Sequence, residues 1–181
     1  MIKIFSVDAE TDGLYGQAFA ISAVVCFGTR TQFKIKDKFV GYVGPDNVKD
    51  EWVKKNVLPE LSTMKITHDN YEDMLKDFSV FYRKYRDCDI VSDVPVPVES
   101  KIFRDMRDQK LIGEYEGPFP LFDVSSMLKA IKSKTLSVDE YVKKNKLRTH
   151  FPLSFSNLST HNPLFDCFSA AVAYWHILKK I

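Results

Sequence analysis

Residues 2–14 of this 181-residue chain read Ile2-Lys3-Ile4-Phe5-Ser6-Val7-Asp8-Ala9-Glu10-Thr11-Asp12-Gly13-Leu14. The first part is rich in β-branched and apolar residues, which is typical of a strand, and Gly13 indicates a turn. Asp8 and Glu10 are separated by one residue, so in a strand both carboxylates face the same side of the sheet. A hard cation such as Mg²⁺ or Mn²⁺ would relieve their repulsion. The stretch therefore predicts a divalent-cation site, with a solvated strand end as the alternative.

A second motif near the other end of the sequence strengthens this prediction. It reads Thr160-His161-Asn162-Pro163-Leu164-Phe165-Asp166. Proline suits the first turn of a helix, so we expect His161 on a loop and Asp166 on a helix that continues to about Lys180. Such a pair suits a general base and a metal ligand. Taken without the first motif, this one could instead be a capping or core histidine beside a surface acid.

The two motifs and their order resemble the DEDDh 3′-to-5′ exonucleases, which include oligoribonuclease, ribonuclease T and polymerase proofreading domains. The resemblance spans nearly the whole chain. Residues 52–61 (WVKKNVLPEL) are similar to the segment before the middle helix of small stand-alone exoribonucleases. The family implies an α/β fold of the ribonuclease H-like type, with a mixed central sheet flanked by helices, and we expect residues 1–181 to form one domain.

The middle motif departs from the family pattern, which has an asparagine at a strand end and an aspartate opening the next helix. In this chain Asp93 lies at the predicted strand end and Glu99 at the helix-opening position. Either residue, or both, could supply the third acid. The alternative for Glu99 is an acid at the N-terminus of a helix, where the macrodipole favours it.

Apolar patterns elsewhere agree with the expected fold. They predict an antiparallel meander of strands at 2–8, 17–28 and 31–43, and then helices and short strands in alternation. The next predicted elements are a short helix ending near Pro59, a helix through 74–85, a strand at 89–94 and a helix at 99–110. They are followed by an apolar stretch at 118–124 that leads into a helix, a helix with a capping box at 136–147, and loops at 148–160.

The resemblance implies hydrolysis of a terminal phosphodiester by two Mg²⁺ or Mn²⁺ ions about 4 Å apart, with a nucleoside 5′-monophosphate as product. Asp8, Glu10, Asp166 and one or both of Asp93 and Glu99 would hold the ions, and His161 would be the general base. The expected substrate is single-stranded nucleic acid, with RNA slightly favoured over DNA. A catalytically inactive nucleic-acid-binding module on the same fold is the alternative function.

Candidate substrate contacts follow the first acids and precede the last helix: Thr11, Gly13, Leu14, Tyr15 and Asn162. Leu14 and Tyr15 are suited to wedge against the terminal base, although Tyr15 could be an ordinary surface aromatic. Asp12 is expected to be a turn residue. Asp123 could lie near the site, but we favour a role as the N-cap of the following helix.

Charge and composition place further bounds on the function. The net charge is only +2, but residues 129–148 hold seven Lys or Arg against Asp139 and Glu140. This segment could face a phosphodiester substrate, or it could be a solvated helix face.

Three widely spaced cysteines without a C-x-x-C pair indicate buried, reduced thiols rather than a zinc site. Without an apolar run or a signal-like stretch, we expect a cytoplasmic protein. A homodimer is compatible with the resemblance, although no dimerisation signal is visible.

Overall fold

A mixed five-stranded sheet forms the centre of the computed structural model, which describes residues 1–155 and 157–181. β1 pairs antiparallel with β2 and parallel with β4. The strands are β1 (Ile2–Thr11), β2 (Ala18–Gly28), β3 (Phe33–Tyr42), β4 (Asp89–Ser92) and β5 (Leu121–Asp123), in the spatial order β3-β2-β1-β4-β5.

Helices cover both faces of this sheet. The last of them, α6, is almost entirely buried, because its apolar residues occupy all sides of the helix. The α-helices are α1 (Glu51–Asn56), α2 (Tyr71–Tyr85), α3 (Val98–Asp108), α4 (Val124–Ala130), α5 (Val138–Lys144) and α6 (Pro163–Leu178), with 3₁₀ turns at Leu58–Leu61, Leu147–His150 and Leu153–Phe155.

The alternation of side chains along β1 decides which face carries the acids. Phe5, Val7 and Ala9 pack on one face with residues of α2 and α3. Ile4 packs on the opposite face in a cluster with residues of α4, α5 and α6. Asp8 and Glu10 have the same parity as Ile4, so they point toward α6.

The register of β1 explains why its second half carries a site. Only Ile4–Ser6 of β1 pairs with β4, opposite Asp89–Val91, so β1 continues past the end of β4. Because these two strands are parallel, their carboxyl ends meet at the same edge of the sheet. Asp8 and Glu10 therefore lie beside the chain that leaves β4, a common position for ligand sites in α/β sheets.

The predicted fold is confirmed, with adjustments at the ends of elements. β1 runs to Thr11, so Asp8 and Glu10 lie inside the strand rather than at its end. The predicted loop at 148–160 was wrong in part, because the backbone forms two 3₁₀ turns at 147–150 and 153–155. The predicted N-cap of α5 is confirmed, because the Glu140 N–H donates a hydrogen bond to Ser137 Oγ at 3.3 Å. The reciprocal half of the predicted capping box differs, because the Ser137 N–H donates to Thr135 Oγ1 at 3.2 Å instead of to Glu140.

Two further expectations concern the buried interior and membranes. Cys26, Cys88 and Cys167 are free thiols and all are buried, as predicted. In the part of the chain that the structure describes, no helix has the length and apolar character needed to span a bilayer.

Candidate functional site

Three acids from the two terminal motifs meet at the carboxyl end of β1. Asp8 and Glu10 from β1 and Asp166 from α6 each present a carboxylate oxygen, and these oxygens lie within 4.8 Å of one another. They line a cleft of about 430 Å³ that also contains Asp93, Glu99 and His161. The fold thus brings together all six residues that the sequence suggested for catalysis or metal binding.

His161 and Asp166 are joined through the backbone. The His161 N–H donates a hydrogen bond to Asp166 Oδ2 at 2.9 Å. His161 has a left-handed backbone conformation, with φ of 67°, which is uncommon for a residue other than glycine. Asn162 then caps α6 by accepting from the Leu164 N–H at 3.2 Å. This turn fixes the backbone of His161 relative to the carboxylate of Asp166.

The two candidates for the third acid have different surroundings. Glu99 lies in the first turn of α3 and is buried, with 4% of its surface exposed. Asp93 directly follows β4 and accepts a hydrogen bond from Ser125 Oγ at 2.5 Å. Both line the cleft, so the structure leaves both as candidates. The charges of both raise the pKa of Asp8, and Glu99 in addition raises the pKa of Glu10 whereas Asp93 raises that of Asp166.

The electrostatics of the cleft strongly disfavour ionised carboxylates. Burial, reinforced by the neighbouring acids, raises the pKa values of Asp8 and Asp166 well above their usual range. Burial and the charge of Glu99 raise the pKa of Glu10 to about 8. Burial likewise raises the pKa of Glu99 to about 7 and that of Asp93 to about 6. Such a set needs a cation if all its members are to be charged.

The acids also lack the usual compensation from basic side chains. Within the described ranges, none of the five carboxylates forms an ion pair with Lys, Arg or His. The hydroxyl of buried Ser169, which lines the same cleft, has no hydrogen-bond partner there either. Oxygen donors with unbalanced negative charge are the chemistry that Mg²⁺ and Mn²⁺ prefer. The residues present therefore fit divalent cations.

We expect the melting temperature of the metal-free protein to fall as the pH rises from about 5 to about 8. The unfolded chain releases the protons of its Glu side chains near pH 4.3, whereas folded Glu99 and Glu10 hold theirs up to pKa values of about 7 and about 8. The stability that protonated Glu99 and Glu10 contribute is therefore fully present below about pH 5 and is lost as the pH rises to about 8. In thermal-shift measurements, Mg²⁺ or Mn²⁺ should restore more stability at the upper pH than at the lower. An equal metal effect at both pH values would contradict this reading.

The predicted substrate residues occupy different places around the cleft. Leu14 lines it and is 59% exposed, and Tyr15 beside it is 78% exposed. The hydroxyl of Thr11 donates to the Gly13 carbonyl at 2.7 Å, and Gly13 has the positive φ of 72° that this turn requires. Asn162 is buried as the cap of α6. Their substrate roles stay predictions.

Asp12 and Asp123 have structural roles. Asp12 Oδ1 accepts hydrogen bonds from the N–H groups of Lys49 and Asp50, at 2.8 and 2.7 Å, and so ties the turn after β1 to the start of α1. Asp123 caps α4, as predicted, by accepting from the Ser126 N–H at 2.8 Å.

Two residues of the site region were not predicted from the sequence. Trp52 of α1 is 59% exposed, and its ring lies edge-on to the imidazole of His161, with 5.7 Å between the centroids. Asp139 of α5 lines the cleft as a sixth acid, and burial raises its pKa. The sequence carries no local signal for Trp52, since its contact with His161 joins residues that are far apart in the chain. Asp139 resembles an ordinary first-turn helix acid.

Comparisons with known proteins agree with this architecture. No protein-family model matches the sequence, and no curated protein matches it significantly. Among solved structures, the chain is similar to Exonuclease X in complex with 5′-overhanging duplex DNA, with a TM-score of 0.57 and 19% identity over 99% of this chain and 92% of that one. The ribonuclease H-like fold is therefore shown, and the resemblance to the DEDDh exonucleases is confirmed at the level of the fold.

Proposed function

We propose that this protein is a metal-dependent 3′-to-5′ exonuclease that releases nucleoside 5′-monophosphates from single-stranded nucleic acid. The observation that carries the proposal is the meeting of Asp8, Glu10 and Asp166, whose carboxylate oxygens lie within 4.8 Å of one another in an open cleft. The same motifs underlie the resemblance to the DEDDh exonucleases. The shared fold with Exonuclease X supports the proposal further.

The carboxylates would hold two divalent cations. Asp8, Glu10 and Asp166 supply the central oxygens, and Glu99, Asp93 or both supply the remaining carboxylate. When bound, Mg²⁺ or Mn²⁺ would acidify the attacking water and neutralise charge on the phosphodiester in the transition state. The buried surroundings of the acids hold these oxygens in place and strengthen their attraction for the cations.

His161 is placed to take the proton of the attacking water. Its side chain lines the cleft, and its backbone is fixed to Asp166 by the hydrogen bond at 2.9 Å. Imidazole is the side chain that most often serves as a general base near neutral pH. Contact with the ring of Trp52 restricts the imidazole further. These contacts would orient the base before substrate arrives.

Exposed apolar side chains at the mouth of the cleft suit the terminal bases. Leu14 lines the cleft, Tyr15 follows it in the chain and Trp52 lies against His161, and each of the three is more than half exposed. Bases stack on aromatic rings with little regard to sequence. Stacking of this kind would favour a single strand, whose bases are free, over a paired end.

The proposal is tested with 5′-labelled RNA and DNA oligonucleotides, each single-stranded or in a duplex with a 5′ overhang, in Mg²⁺, Mn²⁺ or EDTA. We expect a ladder that shortens from the 3′ end only with metal, faster on single strands, with 5′-monophosphates as the released product. Asp8→Asn, purified in parallel, controls for contaminating nucleases. No degradation, with binding retained in a gel shift, would instead favour an inactive nucleic-acid-binding module.

Separate substitutions of Glu99 and Asp93 should identify the third acid. We expect Glu99→Gln to lower kcat by about 10²-fold or more, because a carboxylate in the metal centre would be lost. Asp93→Asn should have a smaller effect, since its carboxylate already accepts from Ser125 Oγ at 2.5 Å. Single-turnover rates at saturating Mn²⁺ would compare the two. If neither variant is slower than wild type, the assignment of the middle motif is wrong.

A further inference from the structure

A basic segment of the chain includes α5, whose first residues line the acidic cleft. All seven basic side chains of the segment 129–148 are exposed, and we call them the α5 flank: Lys129, Lys132, Lys134, Lys143, Lys144, Lys146 and Arg148. Within the described residues only Lys144 of this set forms an ion pair, with Glu140 at 3.1 Å. The positive charge of the flank is thus largely uncompensated by the protein itself.

Arg148 differs from the lysines of the α5 flank because its head group is held in place. Its guanidinium carbon lies 5.2 Å from the centroid of the Phe165 ring, which is buried at 2% exposure. Phe165 is fixed in turn by packing against Phe151, with 5.4 Å between the ring centroids. Stacking on a ring orients a guanidinium while leaving its N–H donors available. In the described chain these donors form no ion pair.

The contact with Phe165 also places Arg148 near the acidic cleft. The ring on which it stacks belongs to the residue next to Asp166 in α6. On the other side, Val138 and Asp139 at the start of α5 line the cleft. Arg148 is therefore a basic residue of the α5 flank that contacts the helix carrying Asp166.

We infer that Arg148 binds a backbone phosphate of the substrate strand outside the carboxylate centre, and that the strand continues over Lys143 and Lys146. This inference rests on the proposed function. A cleft with six acids repels every phosphate that a bound cation does not neutralise, so a longer strand needs a cationic group at the exit. Arginine offers a planar, bidentate fit to phosphate. A contact of this kind positions the strand without reading its sequence.

The inference predicts an effect that depends on substrate length. An unphosphorylated dinucleotide contains only the scissile phosphodiester, whereas a longer oligonucleotide has further phosphates for Arg148. With the longer strand, we expect Arg148→Gln to raise KM about tenfold with little change in kcat. Its KM for the dinucleotide should change far less, and Arg148→Lys should recover part of the loss because it keeps the charge.

Arg30→Gln is the matched control. Arg30 is also exposed, but it lies in the turn between β2 and β3, at the end of the sheet opposite the cleft. The dependence of binding on salt gives a second readout: loss of one phosphate contact should reduce the slope of log K against log salt by about 0.7 for Arg148→Gln and leave it unchanged for Arg30→Gln. Melting temperatures of the variants show whether Arg148→Gln is folded. If it is not, Arg148→Lys is compared with wild type in its place.

The outcomes separate this inference from the proposed function. If wild type degrades oligonucleotides and Arg148→Gln matches Arg30→Gln in KM on the longer strand, or loses as much on the dinucleotide, the phosphate contact is overturned. If wild type degrades nothing, the proposed function fails. Fluorescence anisotropy of the same labelled oligonucleotide then still decides about Arg148: weaker binding by Arg148→Gln than by Arg30→Gln supports the contact, and equal binding overturns it.

Discussion

Replacement of Asp166 by Asn is expected to reduce nuclease activity by about 10³-fold or more while raising the melting temperature of the metal-free protein. Asn keeps the size of the side chain, and its amide oxygen can still accept the hydrogen bond that the His161 N–H donates to Asp166. What is lost is the charge that would attract the cation. Asp8→Asn should behave in the same way, because Asp8 shares the same oxygen cluster.

The gain in stability has a definite physical cause. In the folded protein, burial and the charges of Asp139 and Glu10 raise the pKa of Asp166, so its ionised form destabilises the native state. A neutral amide removes that repulsion at pH values where the unfolded aspartate is charged. We expect the stabilisation to be larger at pH 8 than at pH 5, and the increase in melting temperature on adding Mg²⁺ or Mn²⁺ to disappear.

Activity and thermal shift should be measured on the same preparations. Asp46→Asn removes an exposed acid from the loop after β3 and serves as the control, with activity and metal response like those of wild type. A destabilised Asp166→Asn protein would show that the acid is needed for the fold rather than for the cation. Full activity in either site variant would exclude the carboxylate cluster as the catalytic centre.

The sequence predicted the parts of the site that are local. Asp8 and Glu10 share a face because they are two residues apart in a strand. Phe5 and Val7 alternate with the acids along the chain, which predicts that they lie on the opposite face. The turn that holds His161 above Asp166 follows from Pro163, which suits the start of a helix. The order of the elements was enough to predict a mixed sheet, whereas the meeting of the two motifs at one place was expected from the resemblance to the DEDDh exonucleases.

The remaining features depend on packing between distant elements. Asp93 and Glu99 could not be separated from the sequence, because the proline-rich connection between β4 and α3 hides which carboxylate turns toward β1. Asp139 reaches the cleft only because α5 packs against α6. The contact of Trp52 with His161 requires α1 to be held near β1, which Asp12 achieves through the N–H groups at the start of that helix. No periodic pattern encodes such contacts.

Removal of the His161 imidazole is expected to slow hydrolysis by about 10²–10⁴-fold with cation binding largely retained. His161 is not one of the three residues of the oxygen cluster, so the carboxylates would still hold the ions. Because its backbone has a φ of 67°, His161→Ala introduces strain as well as removing the base. His161→Asn is the better matched variant, since asparagine tolerates this conformation.

Two measurements distinguish a general base from a merely structural histidine. Both variants should keep the Mg²⁺-dependent rise in melting temperature, because Asp8, Glu10 and Asp166 are intact. Added imidazole should partly restore the rate of His161→Ala, since a free base can then occupy the vacated wall of the cleft beside Trp52. If the variants lose the thermal response to metal together with activity, the imidazole is needed for cation binding or for the conformation of the turn rather than only as the base. A rate within about twofold of wild type would mean that another group accepts the proton.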